Sequence, residues 1–230
     1  MRQAKISEIF LSYQGEGPYV GSRQLFVRFY GCNLSCDYCD TQLDSYKSFS
    51  KDALLSKIHD FEENYNELAI TGGEPLLYAD FLKGFLPLFK QYRQNKVYLE
   101  TNGTLPEEMA KIKFLVDVVS MDFKLPSSGG TGEDVWEKHK DFIKTVLPRE
   151  LIVKTVIAGK TTIDDIKKMV EVLETFKDKF SIVLQPVTPI SGEVVEADNE
   201  MVSYFKGYIE KELDKDVHII GQVHKCIGIR

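Results

Sequence analysis

At 230 residues, with 43% hydrophobic and 28% charged residues, the chain is too apolar for a disordered protein and long enough for one α/β domain over residues 1–230. A net charge of −6 argues against a nucleic-acid partner, which usually meets a basic face, and points to a small molecule instead. No apolar run reaches the length of a signal-peptide core or a membrane span, so a cytoplasmic protein with no membrane partner is expected, and there its four cysteines should stay thiols.

"QLFVRFY" (24–30), rich in β-branched and aromatic residues and stopped by Gly31, predicts a strand that runs into the loop "GCNLSCDYCDTQ". Ser50 then reads as the N-cap of a helix over 50–64 whose inward face carries Leu54, Leu55, Ile58 and Phe61. "ELAI" is a short buried strand ended by the glycines of "TGGEP". Next come a helix over 79–92, strand "KVYLE" and loop "TNGT", then helix "PEEMAKI", strand "LVDVVS" and loop "MDFKLPSSGGTG". A helix over 136–146 precedes strand "LIVKTVI", and a helix with Ile163, Ile166, Val170 and Leu173 precedes strand "FSIVLQP". A last helix, with Met201, Phe205, Tyr208 and Ile209, leads to "VHII".

Strands alternating with helices in this way build right-handed βαβ units and a parallel sheet. Six βα repeats and a terminal strand fall short of the eight of a closed barrel, so the expected fold is α/β, a partial (incomplete) parallel βα barrel. Ligands in such folds sit beyond the carboxyl ends of the strands. There the chain offers the cysteine loop, "TGGEP", "TNG", "MDFK", "AGK" and "QPVTP", and all but "AGK" carry groups suited to holding a ligand.

Three of the four cysteines, Cys32, Cys36 and Cys39, form a C-x3-C-x2-C pattern. Structural zinc usually draws four ligands as two spaced pairs, and Cys226, alone near the C-terminus, reads as a small buried hydrophobe on a terminal strand. An iron-sulfur cubane held by three thiolates would leave one iron open to a non-protein ligand.

This motif after the first strand, with "GGEP" after the second, resembles the radical S-adenosylmethionine superfamily, in which that open iron is chelated by adenosylmethionine and electron transfer yields a 5'-deoxyadenosyl radical. "EIFLSYQGEG" (8–17), "FVRFYGCNLSCDYCDTQ" (26–42), "ITGGEP" (70–75) and "QVHKCIGIR" (222–230) resemble, more narrowly, the branch that converts 6-carboxy-5,6,7,8-tetrahydropterin to 7-carboxy-7-deazaguanine with loss of ammonia. The resemblance implies a [4Fe-4S] cluster on Cys32, Cys36 and Cys39, and Mg2+ at Thr41. It implies S-adenosyl-L-methionine against Tyr38, Cys39, Asp40, Gly73, Glu74, Asp122, Phe123, Lys124 and Gln185, with Glu74 neutralising the methionine ammonium. Asp122 and Phe123 stand where many members of the branch carry Ser-Pro.

The pterin would meet Tyr13, Gln14, Gly15, Glu16, Arg28, Thr71, His224 and the terminal carboxylate of Arg230. Glu16 and Arg28 join the cysteines as the expected catalytic residues, since a carboxylate suits the guanidine-like pterin edge and a guanidinium suits the 6-carboxylate. A homodimer and an external electron donor of the flavodoxin or ferredoxin type are implied as well. Two other readings stay open: an activase that makes a glycyl radical on a partner protein, which shares the cysteine spacing, and a non-enzymatic electron-transfer or zinc protein.

Overall fold

The computed structural model describes residues 3–41, 44–61, 64–129, 131–132, 134–146, 149–176, 179–188 and 195–229. Seven strands form a parallel run: β2 (Arg23–Phe29), β4 (Glu67–Gly72), β5 (Lys96–Thr101), β6 (Val118–Asp122), β7 (Glu150–Ile157), β8 (Ser181–Pro186) and β9 (Val217–Ile219). They lie side by side in chain order, so every crossover steps the same way. Two antiparallel strands extend the β2 side, β1 (Ala4–Tyr13) against β2 and β3 (Lys47–Phe49) against β1. The sheet therefore ends at β3 and β9 and does not close. The six βα repeats and the terminal strand stand as expected, while β1 and β3 are additions that the sequence reading did not assign.

Six helices connect the parallel strands: α1 (Lys51–His59), α2 (Ala79–Tyr92), α3 (Pro106–Ala110), α4 (Val135–Val146), α5 (Ile163–Glu174) and α6 (Asn199–Leu213). Ser50 caps α1 by accepting from the Ala53 amide at 3.2 Å. That helix stops at His59, so Phe61 packs from beyond its end. A short α7 (Val223–Ile227) follows β9. No helix of the described residues is long and apolar enough to cross a membrane.

Side chains in a strand alternate between faces, and this decides what each strand gives to the core and what it gives to the site. Leu25, Val27 and Phe29 of β2, Val119 and Met121 of β6, and Leu151 and Val153 of β7 belong to the main core together with Phe85 and Phe89 of α2, Phe142 of α4 and Phe205 of α6. Burying each such side chain contributes roughly 1.5–3 kcal/mol. The residues between them, such as Arg28, Ser120, Asp122, Lys154 and Val156, line a cavity on the opposite face.

Gly72 ends β4 at φ +144, and a Cβ placed there would lie 2.2 Å from the Phe29 carbonyl oxygen of neighbouring β2. The glycine lets the two strand ends close up just before the cysteine loop. Gly72→Ala should lower unfolding stability by more than about 1 kcal/mol, read from the urea midpoint, because both φ and space oppose it.

Candidate active site

Beyond the strand ends lies a cavity of about 570 Å³. Its first wall is the loop after β2. Gly31, at φ +92, turns the chain out of the sheet. The Gly31 carbonyl accepts from the Glu74 amide at 2.9 Å, which ties the base of this loop to the "GGEP" segment. Gly73 sits so close that a Cβ would come within 2.3 Å of the Gly31 oxygen. Farther along, the Asn33 side chain donates to Thr104 Oγ1 and accepts from Asn102 Nδ2, each at 2.9 Å, and Asp37 pairs with Lys160 from the "AGK" loop. Buried His139 of α4 lies 3.1 Å from the Asn102 carbonyl through Nε2, which fixes the N–H on that nitrogen. Burial lowers its pKa to about 3, so the ring is neutral and acts as a strut.

Cys32, Cys36 and Cys39 all line the cavity as free thiols, together with Tyr38, Asp40 and Thr41. Burial raises the Cys32 and Cys36 thiols, a direction that a bound cation would reverse. Zinc with bonds of about 2.3 Å would need its sulfurs within about 4 Å of one another. Among the described residues no three Cys, His, Asp or Glu side chains converge on a point in that way. Three loop thiols on one cavity are the number that would hold an iron-sulfur cubane with one iron left without a protein ligand. Cys226 corrects one expectation: it is exposed on α7, outside the cavity, because the chain after β9 turns into a helix.

Beside the thiol loop, the end of β6 supplies an ion pair. Lys124 Nζ lies 2.8 Å from Asp122 Oδ2 and 3.1 Å from the Tyr38 hydroxyl, and 4.9 Å from the centre of the Tyr38 ring. Burial works against both charges. For Asp122, the charges of Lys124 and Lys154 outweigh it and lower the carboxyl pKa; for Lys124, the Asp122 carboxylate outweighs it and raises the ammonium pKa. Oδ1 of Asp122 and Oε1 of Gln185 are buried acceptors with no partner among the described residues, and both residues line the cavity. An adenosylmethionine with its ammonium and ribose hydroxyls offers donors for such atoms, so the residues fit the cofactor.

Two expected cofactor contacts are corrected. The Phe123 side chain falls on the helix-side face of its strand and packs in the core, 4.2 Å from the His139 ring. Glu74 is fully buried and turned away from the cavity. Its carboxylate accepts from the Leu76 and Asn102 amides and from Thr101 Oγ1 at 2.8–3.0 Å. Burial pushes its pKa up to about 7 against those hydrogen bonds. Gly73 does line the cavity.

The remaining wall joins residues from both ends of the sequence. Val223 N donates to the Gly15 carbonyl at 3.0 Å, and His224 packs so tightly on Gly15 that any Cβ would overlap its ring. Gln14 donates from Nε2 to Glu100 at 2.8 Å and accepts from the Glu16 amide at 3.0 Å, while Thr71 donates to the other oxygen of Glu100 at 2.6 Å. Glu16 is held by Lys154 and, at 2.9 Å, by Gln222, which also reaches Asp40 at 2.8 Å. Lys225 pairs with Asp40 at 2.6 Å. Burial would raise the Asp40 carboxyl, yet the contacts with Lys225 and Gln222 leave it lowered. Arg28 pairs with Glu8 at 3.2 Å beside the Phe10 ring, and Tyr13 stands half-exposed at the mouth. Arg230 lies outside the described residues.

Glu100, Asn102, Ser120, Lys154, Gln222 and Lys225 line the same cavity and had no individual role in the sequence reading, although Gln222 and Lys225 lie in the segment 222–230 and Asn102 in "TNG". Lys154 carried a readable signal, as the one charged residue within the apolar run "LIVKTVI".

The model of the Radical SAM superfamily matches residues 26–189. A 7-carboxy-7-deazaguanine synthase of Geobacter sulfurreducens is 32% identical, covering 98% of this chain and 97% of the relative. One from Methanothermobacter thermautotrophicus is 31% identical, covering 100% and 99%. Among solved structures, QueE from Escherichia coli superposes with a TM-score of 0.63 at 20% identity, covering 94% of this chain and 93% of that one, a likeness of fold. Full-length identity at this level, on a chain whose three loop thiols line the cavity beyond its strand ends, makes the chain a member of the radical S-adenosylmethionine superfamily and, within it, of the 7-carboxy-7-deazaguanine synthase family.

Proposed function

We propose that residues 1–230 act as a single domain converting 6-carboxy-5,6,7,8-tetrahydropterin to 7-carboxy-7-deazaguanine with loss of ammonia. The observation that carries this reading is the meeting of three wall segments in one cavity: the thiol loop, the Gln14–Glu16 loop, and the segment with Gln222 and His224. The cysteine loop by itself would serve any member of the superfamily, an activase included. The other two segments give the cavity a polar lining suited to a small heterocycle.

When bound, the cluster and adenosylmethionine would supply hydrogen-abstraction chemistry at the pterin C6. The chain's residues bind, orient and enclose. Cys32, Cys36 and Cys39 hold the cluster. Asp122, Lys124, Tyr38 and Gln185 would hold adenosylmethionine, the Lys124 ammonium suiting its carboxylate and the free acceptors of Asp122 and Gln185 its donors. Glu16 accepts from the amino-pyrimidine edge of the pterin, supported by Gln14, and Thr71 and His224 complete its outline. Arg28, paired with Glu8 at 3.2 Å, would serve the substrate carboxylate, and Thr41 would hold Mg2+. Polar groups fixed in this way reject poorly matched ligands strongly, because each mismatch strands a buried donor or acceptor. A flavodoxin- or ferredoxin-type donor, a homodimeric state and a cytoplasmic setting complete the reading, the last consistent with four free cysteines.

Anaerobic incubation of the reconstituted protein with carboxytetrahydropterin, adenosylmethionine and a reductant should yield 7-carboxy-7-deazaguanine by mass spectrometry; its absence with an intact cluster would overturn the proposal. Iron analysis gives a second check. Cys36→Ser should fail to hold a full cluster, whereas Cys226→Ser should load about four irons per chain, since three thiolates suffice and this thiol lies elsewhere. Glu16→Gln should cut turnover by roughly 10- to 100-fold, as expected for loss of a charged hydrogen-bond acceptor. The EPR change on adding adenosylmethionine should persist in that variant.

A further inference from the structure

Lys154 has no role among the residues that the family resemblance points to, yet it holds a central position. It projects from the middle of β7 into the cavity, where its side chain is only 13% exposed, and it is bonded to Glu16. An ammonium buried on an apolar strand needs compensation. Here Glu16 provides it by contact, and Asp122 of β6 and Glu100 of β5 by charge. Other variants of this strand could fill the space with an apolar side chain, as Ile152 and Val156 do on the same face. The lysine therefore serves its partners.

Glu16 is the partner it touches. A carboxylate has about four acceptor positions. Lys154 takes one on Oε2 and Gln222 one on Oε1, which fixes the plane of the group and leaves acceptor capacity on each oxygen. We propose that Lys154 is a positioning residue for substrate recognition: its ammonium group holds the Glu16 carboxylate oriented and ionised, so that both oxygens can accept from adjacent N–H groups on the pyrimidine edge of the pterin. The inference rests on the pterin reading of Glu16 given above and extends it to a residue that does not itself bind the edge.

The electrostatics support this geometry. Burial would raise the Glu16 carboxyl, and the charge and hydrogen bond of Lys154, aided by Gln222, outweigh it and leave the carboxyl lowered. The groups facing the pair are Asp122, Glu100 and Tyr98 from the sheet, Asp40 with its partner Lys225, and His224 against Gly15. Besides Lys154, the carboxylate of Asp40 acts on Glu16 by charge and opposes its ionisation. Without Lys154, burial and Asp40 would dominate, and the carboxyl would take up a proton as the pH falls. A neutral carboxyl accepts poorly and presents an O–H to the donor edge.

The test uses cluster-loaded protein, anaerobic and without reductant, and measures binding of carboxytetrahydropterin by equilibrium filtration from about pH 6 to about 9. Wild-type protein should bind with nearly constant affinity. Lys154→Met, close in length and without charge, should weaken as the pH falls, approaching tenfold per pH unit below its new midpoint, and recover at alkaline pH. Lys154→Arg should keep the flat profile. Lys154→Met should retain the EPR response to adenosylmethionine, since the Asp122–Lys124 pair stays in place. A flat profile in Lys154→Met, or a pH-dependent one in Lys154→Arg, would overturn the proposal; the arginine variant keeps the test open should the methionine variant not fold. Glu16→Gln separates the two layers of the argument. Weak binding that ignores pH supports both, and wild-type affinity in that variant would show that Glu16 does not meet the pterin at all.

Discussion

Seven parallel strands, each obliged to send successive side chains to opposite faces, set the terms for everything else in this molecule. One face must satisfy the helices and is filled with Leu, Ile, Val, Met and Phe. The other face is thereby free to be polar, and near the strand ends it carries Arg28, Thr71, Glu100, Asp122, Lys154 and Gln185. Because the strands lie in chain order with all crossovers in one sense, these residues come from successive strands yet surround a single space. A one-residue slip in any strand would exchange a site residue for a core residue. Phe123 shows the rule at work: it sits between Asp122 and Lys124 in sequence and faces the other way.

Charge is the second organising feature. The cavity gathers Glu16, Asp40, Glu100 and Asp122 with Lys124, Lys154 and Lys225, and they are not paired at random. The Asp122–Lys124 pair stands beside the thiol loop, Glu16–Lys154 lies across the space toward the Gln14 loop, and Asp40–Lys225 with Gln222 bridges the two. In each pair the lysine helps keep the carboxylate ionised against its burial. Such pairs add little to stability after the cost of desolvation, and their value lies in holding charge ready for a ligand.

Most of the fold could be read from the chain because its helices and strands keep clear periods: 79–92 as a helix, and strands ending at the glycine, asparagine and aspartate loops, appear with ends shifted by only a few residues. β1 escaped because its pairing with β2 shifts between Ile6 and Glu8 and its outer half is partly buried on both faces, which erases the two-residue alternation. β3, at three residues, is too short to carry a pattern. In the site, most residues within a recognisable motif were given a role. Glu100 and Gln222 were missed because their importance comes from what they touch, Gln14 and Thr71 in one case and Glu16 and Asp40 in the other, and these contacts span 29 to 206 positions of sequence. Glu74 was misassigned for the same reason: the motif names the residue, but only the neighbouring loop reveals that Thr101 and Asn102 occupy its carboxylate.

The two margins of the sheet carry a last consequence. Both β3 and β9 are only three residues long, and β3 exposes Lys47 and Ser48. Stubs of this size leave few unpaired main-chain groups in a row, and a lysine on such a border discourages a foreign strand from docking there. β3 pairs only with Ala4–Ile6, so this guard covers one end of the ten-residue β1 and not its whole length.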